Sequence, residues 1–288
     1  MSVKKEASGR RSIAVEVEVT GTPEEVWEAI ATGPGVSSWF VPTEVDAAAG
    51  KTMSHFGPGM DSEGKITAWD PPRSYTDEGS GMGPDAPPMA TEWIVEARAG
   101  GKCVVRVVHS LFASTDDWDN QLESLESGWP PFFRILELYL SRFRGQRCSY
   151  FNVMSVVPGP EEPVWKSLSS APLKGTVEMM RDSDHAFKLV RLEAPAPGFA
   201  ILNICGMGSQ VMAAITFYLY GEQGAAAAAR DEAWWQAWMK EQFPTALRKG
   251  RAYTGGDFSG CGARRCAVGV AAFRPGSTTV GHEVDLGG

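Results

Sequence analysis

Two histidines lie in segments that predict β-strands, and histidine is the side chain best suited to pass a proton near neutral pH. His55 belongs to the segment 51–56 and His109 to the segment 102–111. An imidazole titrates near pH 6.5, so it can act as an acid or a base at physiological pH. The other interpretation is that each imidazole only makes hydrogen bonds within the fold. Both residues are candidates for acid–base catalysis, and a catalytic role is assigned to neither.

No recognised catalytic motif accompanies the histidines. The sequence has no Gly-x-Ser-x-Gly, no His-Glu-x-x-His, no P-loop and no dinucleotide fingerprint after a strand. Whether the protein is an enzyme therefore stays open, and we expect no cofactor. We also expect no metal site. Cys261 and Cys266 have only His282 near them in the sequence, whereas a structural zinc takes four ligands.

Strand-like segments and one long helix must position these side chains. Apolar residues alternate from Ile13 to Val19, as in a half-buried strand. Thr22 to Glu25 form a capping box that begins a short helix. Further strands are predicted at 51–56, 64–69, 91–97 and 102–111. Strands followed by a long helix predict an α+β fold with an antiparallel sheet.

The long helix is predicted from an apolar stripe that ends near Phe143. Ser114 or Thr115 would cap it, and acidic residues in the first turn favour that end of the helix dipole. Apolar side chains then recur at three- and four-residue steps. Pro130 and Pro131 should kink or interrupt this helix, because proline removes a backbone donor and clashes with the preceding turn.

The second half repeats this plan in a shorter form. The segment 156–165 echoes 18–27, since each joins a strand to a helix through a glycine turn, paired glutamates and Val-Trp. Strand-like segments follow at 177–180, 186–192, 199–204 and 211–220, and then an Ala-rich helix at 225–243. Matching order and matching motif favour a degenerate second copy.

A family resemblance is carried by five segments of the first half in a fixed order. They are Pro23–Ile30, Trp39–Pro42, Gly64 with Trp69–Arg73, Gly101–Cys103 with Val107–Ser110, and Gly128-Trp129. Together they resemble the SRPBCC (START-like) superfamily, in the branch named for the activator of Hsp90 ATPase. The similarity covers about residues 12–145. It implies a helix-grip fold, in which a curved antiparallel sheet wraps a long C-terminal helix and encloses a cavity.

With this resemblance the chain divides into four parts. We expect a flexible N-terminus at 1–11 and a helix-grip domain at 12–146. A smaller, degenerate helix-grip-like domain would follow at 147–248. The Gly-rich remainder, 249–288, has too little apolar content to offset chain entropy and is expected to be disordered.

The cavity that the resemblance implies selects the candidate ligand contacts. Alternation places Val107 and His109 on one strand face, and Met53 and His55 on one face of another strand. The expected contacts are Trp39, Phe40, Met53, His55, Trp69, Trp93, Val107, His109, Leu122, Trp129 and Phe133. Trp39 and Phe40 could form the lip of the cavity or pin a loop, and the helix residues are core residues first.

Three functions are compatible with such a fold. The first is binding of a small hydrophobic or amphipathic ligand. The second is a polyketide-type cyclase, dehydratase or isomerase that uses the same cavity. The third is a module that interacts with a chaperone or a regulator. A homodimer is a further expectation, because the second half could mediate one.

Charge, hydrophobicity and cysteine content indicate which partners and which compartment to expect. The net charge of −8 gives no basic face for nucleic acid. No apolar run is long enough to insert into a membrane. The five cysteines are irregularly spaced, and Cys103, Cys148 and Cys205 resemble buried thiols. The expected location is the cytoplasm.

Overall fold

The computed structural model describes residues 3–57, 61–80, 86–183 and 185–244. In the first half the elements are β1 (Lys4–Lys5), β2 (Arg10–Thr20), α1 (Pro23–Ala31), α2 (Gly33–Val36), β3 (Thr43–Asp46), β4 (Lys51–His55), β5 (Asp61–Asp70), β6 (Ser74–Gly79), β7 (Met89–Arg98), β8 (Lys102–Phe112) and α3 (Asp119–Arg142). The α+β prediction is confirmed. The sequence pattern did not predict β3, β6 or the short helix α2.

The strands of the first half form one antiparallel sheet of eight strands in the order β1-β2-β8-β7-β6-β5-β4-β3. The first long strand, β2, pairs with the last, β8, so α3 follows directly from the middle of the sheet. In β8 the alternation is as predicted, with Val105, Val107 and His109 buried on the inner face. The outer face carries charged pairs such as Arg106 with Glu16. We call these two sides the inner and the outer face.

The N-terminus differs from the flexible segment that we expected. Lys4–Lys5 pairs with Arg11 and Ser12 as strand β1. The guanidinium group of Arg11 lies 2.6 Å from Asp116 and 2.6 Å from Asp119. These ion pairs bind the N-terminal segment to Asp116 and to the first residue of α3. The predicted cap at Ser114 or Thr115 is wrong, because α3 begins at Asp119 and no side chain caps it.

The prolines do not interrupt α3, which runs from Asp119 to Arg142 through both of them. Pro131 cannot donate to the carbonyl of Ser127, which lies one turn earlier. Arg181 Nη1 lies 3.5 Å from that oxygen and partly compensates the lost bond. Trp129 and Phe133 are buried on either side of the prolines. Packing therefore holds the helix together where propensity alone would end it.

The second half has the elements β9 (Cys148–Pro158), α4 (Glu161–Ser169), β10 (Lys174–Arg181), β11 (Phe187–Ala194), β12 (Gly198–Met207), β13 (Gln210–Tyr220) and α5 (Gly221–Gln242). They form a five-stranded antiparallel sheet in the order β10-β11-β12-β13-β9. Here too the first strand pairs with the last. This is the topology of the first sheet without counterparts of β1, β3 and β4, as a shortened second copy requires.

Helix α3 packs against both sheets. One side of it contacts the inner face of the first sheet, and its C-terminal end contacts aromatic residues of the second. Phe143 stacks on Tyr220 with ring centroids 4.3 Å apart, and it meets Phe199 at 5.6 Å. Glu178 of β10 adds an ion pair to Arg134 of α3 at 2.7 Å. The other face of the second sheet packs on α4 and α5.

Of the three cysteines expected to be buried thiols, Cys103 agrees, since it is free and fully buried. Cys148 is free but only half-buried. Cys205 is buried as expected, but it is disulfide-bonded rather than a free thiol. Cys261, Cys266 and the expected tail at 249–288 lie outside the described residues.

Candidate functional site

His55 and Met53 lie on the outer face of the first sheet, and this corrects the prediction that they line a cavity. Directly opposed residues of antiparallel strands point to the same side. His55 opposes Asp61, and Met53 opposes Glu44 and Glu63, so all of them belong to the charged face. His55 Nδ1 lies 2.9 Å from Asp61, and this hydrogen bond is the largest of the effects that raise the pKa of His55.

His109 lies on the inner face and both of its ring nitrogens have partners. The indole N–H of Trp129 donates to Nε2 at 2.9 Å. Because an indole nitrogen can only donate, Nε2 carries no proton, and Nδ1–H donates to Thr91 Oγ1 at 3.1 Å. Burial lowers the pKa of His109 to about 4. The imidazole is therefore neutral at pH 7, and it orients Thr91 rather than exchanging protons.

Asp77 extends this arrangement along the inner face. In the sheet register Asp77 of β6 opposes Thr91 of β7, and Thr91 opposes His109 of β8. We call Asp77, Thr91 and His109 the polar row. His109 is buried, whereas Asp77 and Thr91 are half-buried. Asp77 and Thr91 are therefore more accessible than His109.

The carboxyl group of Asp77 is held away from bulk water without a cationic partner. No ion pair within the described ranges involves it, and its one hydrogen bond there is from Thr52 Oγ1 at 3.5 Å. Burial raises the pKa of Asp77 to about 6, and the Thr52 hydrogen bond lowers it only in part. Gly64 allows the side chains of Thr52 and Asp77 to lie close together, because it has no side chain of its own. A Cβ at Gly64 would lie 2.4 Å from Thr52 Oγ1 and 3.2 Å from the Asp77 carboxyl carbon.

Aromatic rings stand around the polar row. Trp129 of α3 stacks on His109 with centroids 5.7 Å apart. Phe40 stacks on Trp129 at 5.2 Å, and Phe56 meets Phe40 edge-on at 5.8 Å. Phe40 and Phe56 are half-buried. The inner face of the first sheet thus combines a polar side, contributed by β6 to β8, with an apolar wall contributed by α3 and the segments after α2 and β4.

The remaining predicted contacts divide between this wall and the core. Trp39 is fully buried, and its indole N–H donates to the carbonyl of Ala29 at 2.9 Å, so it pins the loop. Trp69 packs against Trp27 of α1 at 5.1 Å. Leu122 is in a separate small cluster with Ile13 and Leu111. Trp93, Val107 and Phe133 are buried in the main core. Direct contact of these residues with a ligand stays a prediction.

The second sheet has side chains at the positions that correspond to the polar row. The echo of 18–27 in 156–165 aligns Val19 with Val157, and these residues oppose Cys103 and Val211. Counting along the last strand, His109 corresponds to Phe217. The register then relates Thr91 to Ala200 and Asp77 to Val190. The second sheet therefore has an apolar row where the first has a polar one.

Sequence reasoning missed Asp77, Thr91 and Phe56 as site residues. Thr91 could have been found, because it lies in a predicted strand and shares the face of Trp93 by alternation. Asp77 could not, because the polar segment 74–79 gave no strand signal.

A cleft of about 670 Å³ lies apart from the polar row, between α1 and the α3–β9 connection. Glu24 and Glu28 line one side of it, and Arg144 and Arg147 line the other. An ion pair between Arg144 and Glu25 crosses it. None of the predicted ligand contacts lines this cleft.

Within the described ranges, no three or more His, Cys, Asp and Glu side chains are grouped so that they could hold a metal ion. None of the helices in that part of the chain combines the length and the apolar character needed to cross a membrane.

Comparison with known proteins gives one family and several structural likenesses. Residues 20–141 match the model of the family described as activator of Hsp90 ATPase homolog 1-like protein. None of the curated proteins matches the chain.

Among solved structures, protein MLL2253 from Mesorhizobium loti is 20% identical, with a TM-score of 0.41, over 46% of this chain and 98% of its own. The Aha1 dimer from Colwellia psychrerythraea is 19% identical, with a TM-score of 0.37, over 46% of this chain and 98% of its own. The di-domain ARO/CYC BexL from the BE-7585A biosynthetic pathway is 13% identical, with a TM-score of 0.44, over 84% of this chain and 100% of its own.

Proposed function

Residues 20–141 form an SRPBCC domain of the activator-of-Hsp90-ATPase-like branch, and we propose that this domain binds a small, mostly apolar ligand on the inner face of its sheet. The observation that carries the proposal is the contrast between the polar row and its apolar counterpart. Val190, Ala200 and Phe217 show that the same strand positions can be filled by apolar side chains. The fold itself therefore does not require the polar row.

The surroundings of the row suit a ligand that is apolar over most of its surface. Ligand sites are typically lined by apolar and aromatic side chains with a few polar groups that set orientation. Phe40, Phe56 and Trp129 supply the apolar wall, and Asp77 and Thr91 supply the polar groups. Phe40 and Phe56 are only half-buried, so part of their surface is available to a ligand.

The test is binding of an uncharged fluorescent probe to the full chain. N-phenyl-1-naphthylamine emits strongly only in apolar surroundings, and we expect a saturable rise in emission. Phe40→Ala should weaken binding about tenfold, because a buried aromatic contact is worth roughly 1.5 kcal/mol or more. Met53→Ala, on the outer face, is the matched control and should change the Kd less than about twofold by the same measure.

Two results would overturn the proposal: no saturable binding of the probe, or equal weakening by Phe40→Ala and Met53→Ala. If neither result is obtained, native mass spectrometry of freshly purified protein, followed by solvent extraction, would identify the natural ligand. A discrete bound mass would give its chemical class.

A second candidate function is an enzyme of the cyclase, dehydratase or isomerase type on the same face. Asp77 is what favours it, because a carboxyl group whose pKa is about 6 can accept or donate a proton near neutrality. His109 does not support it, since both of its nitrogens are engaged. If Asp77→Asn left turnover of the extracted compound intact, this function would be excluded.

The expected chaperone or regulator partner, the homodimer and the cytoplasmic location stay predictions. No feature within the described part of the chain adds to them.

A further inference from the structure

Thr91 has a hydroxyl hydrogen that the described structure leaves available. Its oxygen accepts from His109 Nδ1–H, because Nε2 is occupied by Trp129. A hydroxyl group that accepts one hydrogen bond still donates its own hydrogen. Within the described ranges the Thr91 side chain makes no hydrogen bond other than the one with His109. The His109–Trp129 pair therefore fixes Thr91 as a donor toward the inner face.

Asp77, the neighbour of Thr91 across the strands, has the opposite capacity. Its carboxylate can only accept, and Thr52 is its one hydrogen-bond partner within the described part of the chain, at 3.5 Å. Asp77 and Thr91 oppose each other in the register and so point to the same face. No direct hydrogen bond joins these two described side chains. Thr91, which is left with a hydrogen to donate, therefore lies beside Asp77, which can only accept.

A group that satisfies both must accept from Thr91 and donate to Asp77. A carbonyl oxygen only accepts and an ammonium group only donates, whereas a hydroxyl group does both. We infer that the ligand carries an alcohol or phenol hydroxyl, which is bound between Thr91 and Asp77 while its apolar body lies against Phe40 and Trp129. This inference rests on the proposed function and names the ligand class that the site selects.

The arrangement also predicts what the site rejects. An analogue without the hydroxyl leaves the partly buried Asp77 carboxylate and the Thr91 hydroxyl without partners, which costs affinity beyond one lost contact. An anionic ligand is repelled by the Asp77 carboxylate. Selection therefore comes from two residues of the polar row, and the third, His109, is a positioning residue that acts through Thr91.

The experiment compares 2-naphthol with naphthalene on the full chain, each displacing N-phenyl-1-naphthylamine. Naphthalene is the more apolar of the two, so a preference for 2-naphthol must come from hydrogen bonds. We expect wild type to bind 2-naphthol at least about tenfold more tightly, the factor that one hydrogen bond to a charged group supplies.

Two variants of the site and one control test the assignment. Asp77→Asn replaces a charged acceptor by a neutral one and should reduce a tenfold preference for 2-naphthol about threefold, since charge-assisted bonds are roughly twice as strong. Thr91→Val removes the other hydrogen bond and should also reduce the preference, and Thr91→Ser should restore it. Asp61→Asn, on the outer face, should leave it unchanged. Naphthalene leaves Asp77 and Thr91 without partners, so its affinity should rise or stay the same in Asp77→Asn and Thr91→Val.

The outcomes separate the two proposals. If N-phenyl-1-naphthylamine does not bind at all, the proposed function fails, and this inference fails with it. If the probe binds but 2-naphthol has no advantage, or keeps its advantage in Asp77→Asn, only the inference fails. Should Thr91→Val not fold because His109 loses its acceptor, Asp77→Asn and Thr91→Ser decide the matter.

Discussion

The polar row of the first sheet and the apolar row of the second occupy equivalent positions. In the first sheet, His109 accepts a hydrogen bond from Trp129 of the following helix. In the second, Phe217 packs on Trp235 of its following helix, with ring centroids 4.9 Å apart. Each sheet therefore anchors its helix through a tryptophan, once by a hydrogen bond and once by apolar packing alone.

The difference shows which residues serve the fold and which serve a site. Phe217 is 1% exposed and stacks on Phe151 at 4.5 Å, so the second row only fills a core. The first row keeps a carboxyl group with a raised pKa and without a cation among the described residues. Burying such a group costs free energy. A ligand that donates a hydrogen bond to this carboxyl group would offset the cost.

The largest effect on stability should come from exchanging His109 and Phe217, which occupy equivalent positions in the two rows. Phe217→His should lower the free energy of unfolding by about 2–4 kcal/mol, because it replaces stacked, buried aromatic contacts by a polar ring. His109→Phe should cost less, about 1–3 kcal/mol, since its main penalty is the unpaired indole N–H of Trp129. Urea denaturation of both variants gives the two values. A larger loss for His109→Phe would show that the polar row is required by the fold.

The next effect concerns Asp77 and depends on pH. A carboxyl group whose pKa is raised from 3.8 to about 6 holds its proton longer in the folded state. Its contribution to stability is present below pH 4 and is lost as the pH rises through about 6. Asp77→Asn should therefore raise the free energy of unfolding at pH 8 by about 1–3 kcal/mol, with no gain at pH 4. Thermal unfolding at both pH values measures this, with Asp61→Asn as control. An equal gain at both would contradict it.

A smaller effect should come from the ion pair between the halves. Glu178 is nearly buried and lies 2.7 Å from both Arg134 and Arg191. Glu178→Gln should lower the free energy of unfolding by about 1–2 kcal/mol, because two arginines lose a partly desolvated partner. Glu18→Gln removes an exposed pair with Lys102 on the outer face and should cost less than about 1 kcal/mol. Equal losses would mean that Glu178 does not link the halves.

The smallest effect is expected for the other histidine. His55 lies on the outer face among exposed carboxylates. His55→Ala should change the free energy of unfolding by less than about 0.5 kcal/mol, as is usual for surface substitutions. Binding of N-phenyl-1-naphthylamine should stay the same. A tenfold loss of probe affinity would indicate that the site lies on the outer face.

The sequence predicted most of the fold, because its main signals are local. The capping box at Thr22 is present, with the Thr22 backbone N–H donating to the Glu25 carboxylate. The repeat was visible because order and motif agreed. The continuous helix through Pro130 was not predictable, since it depends on packing from two sheets that lie far apart in the sequence.

The site was predictable only in part, for a related reason. Alternation shows that Met53 and His55 share a face, but the strands beside them decide which face it is. Glu44 and Asp61 settle that question, and their pairing is a tertiary fact. Asp77 reaches the inner face of β6 beyond a register shift in β5 between Ile66 and Ala68, which local spacing cannot reveal.

The position of α3 between the sheets determines how the chain unfolds and whether its halves can be separated. Tyr139 and Phe143 would be exposed to water if the second half were removed, because their rings pack on Tyr220. A fragment ending near residue 146 would therefore tend to aggregate, although it contains every residue of the polar row. The two halves should unfold in a single cooperative transition. The amide protons in the middle of α3 should exchange with solvent only when the whole chain opens.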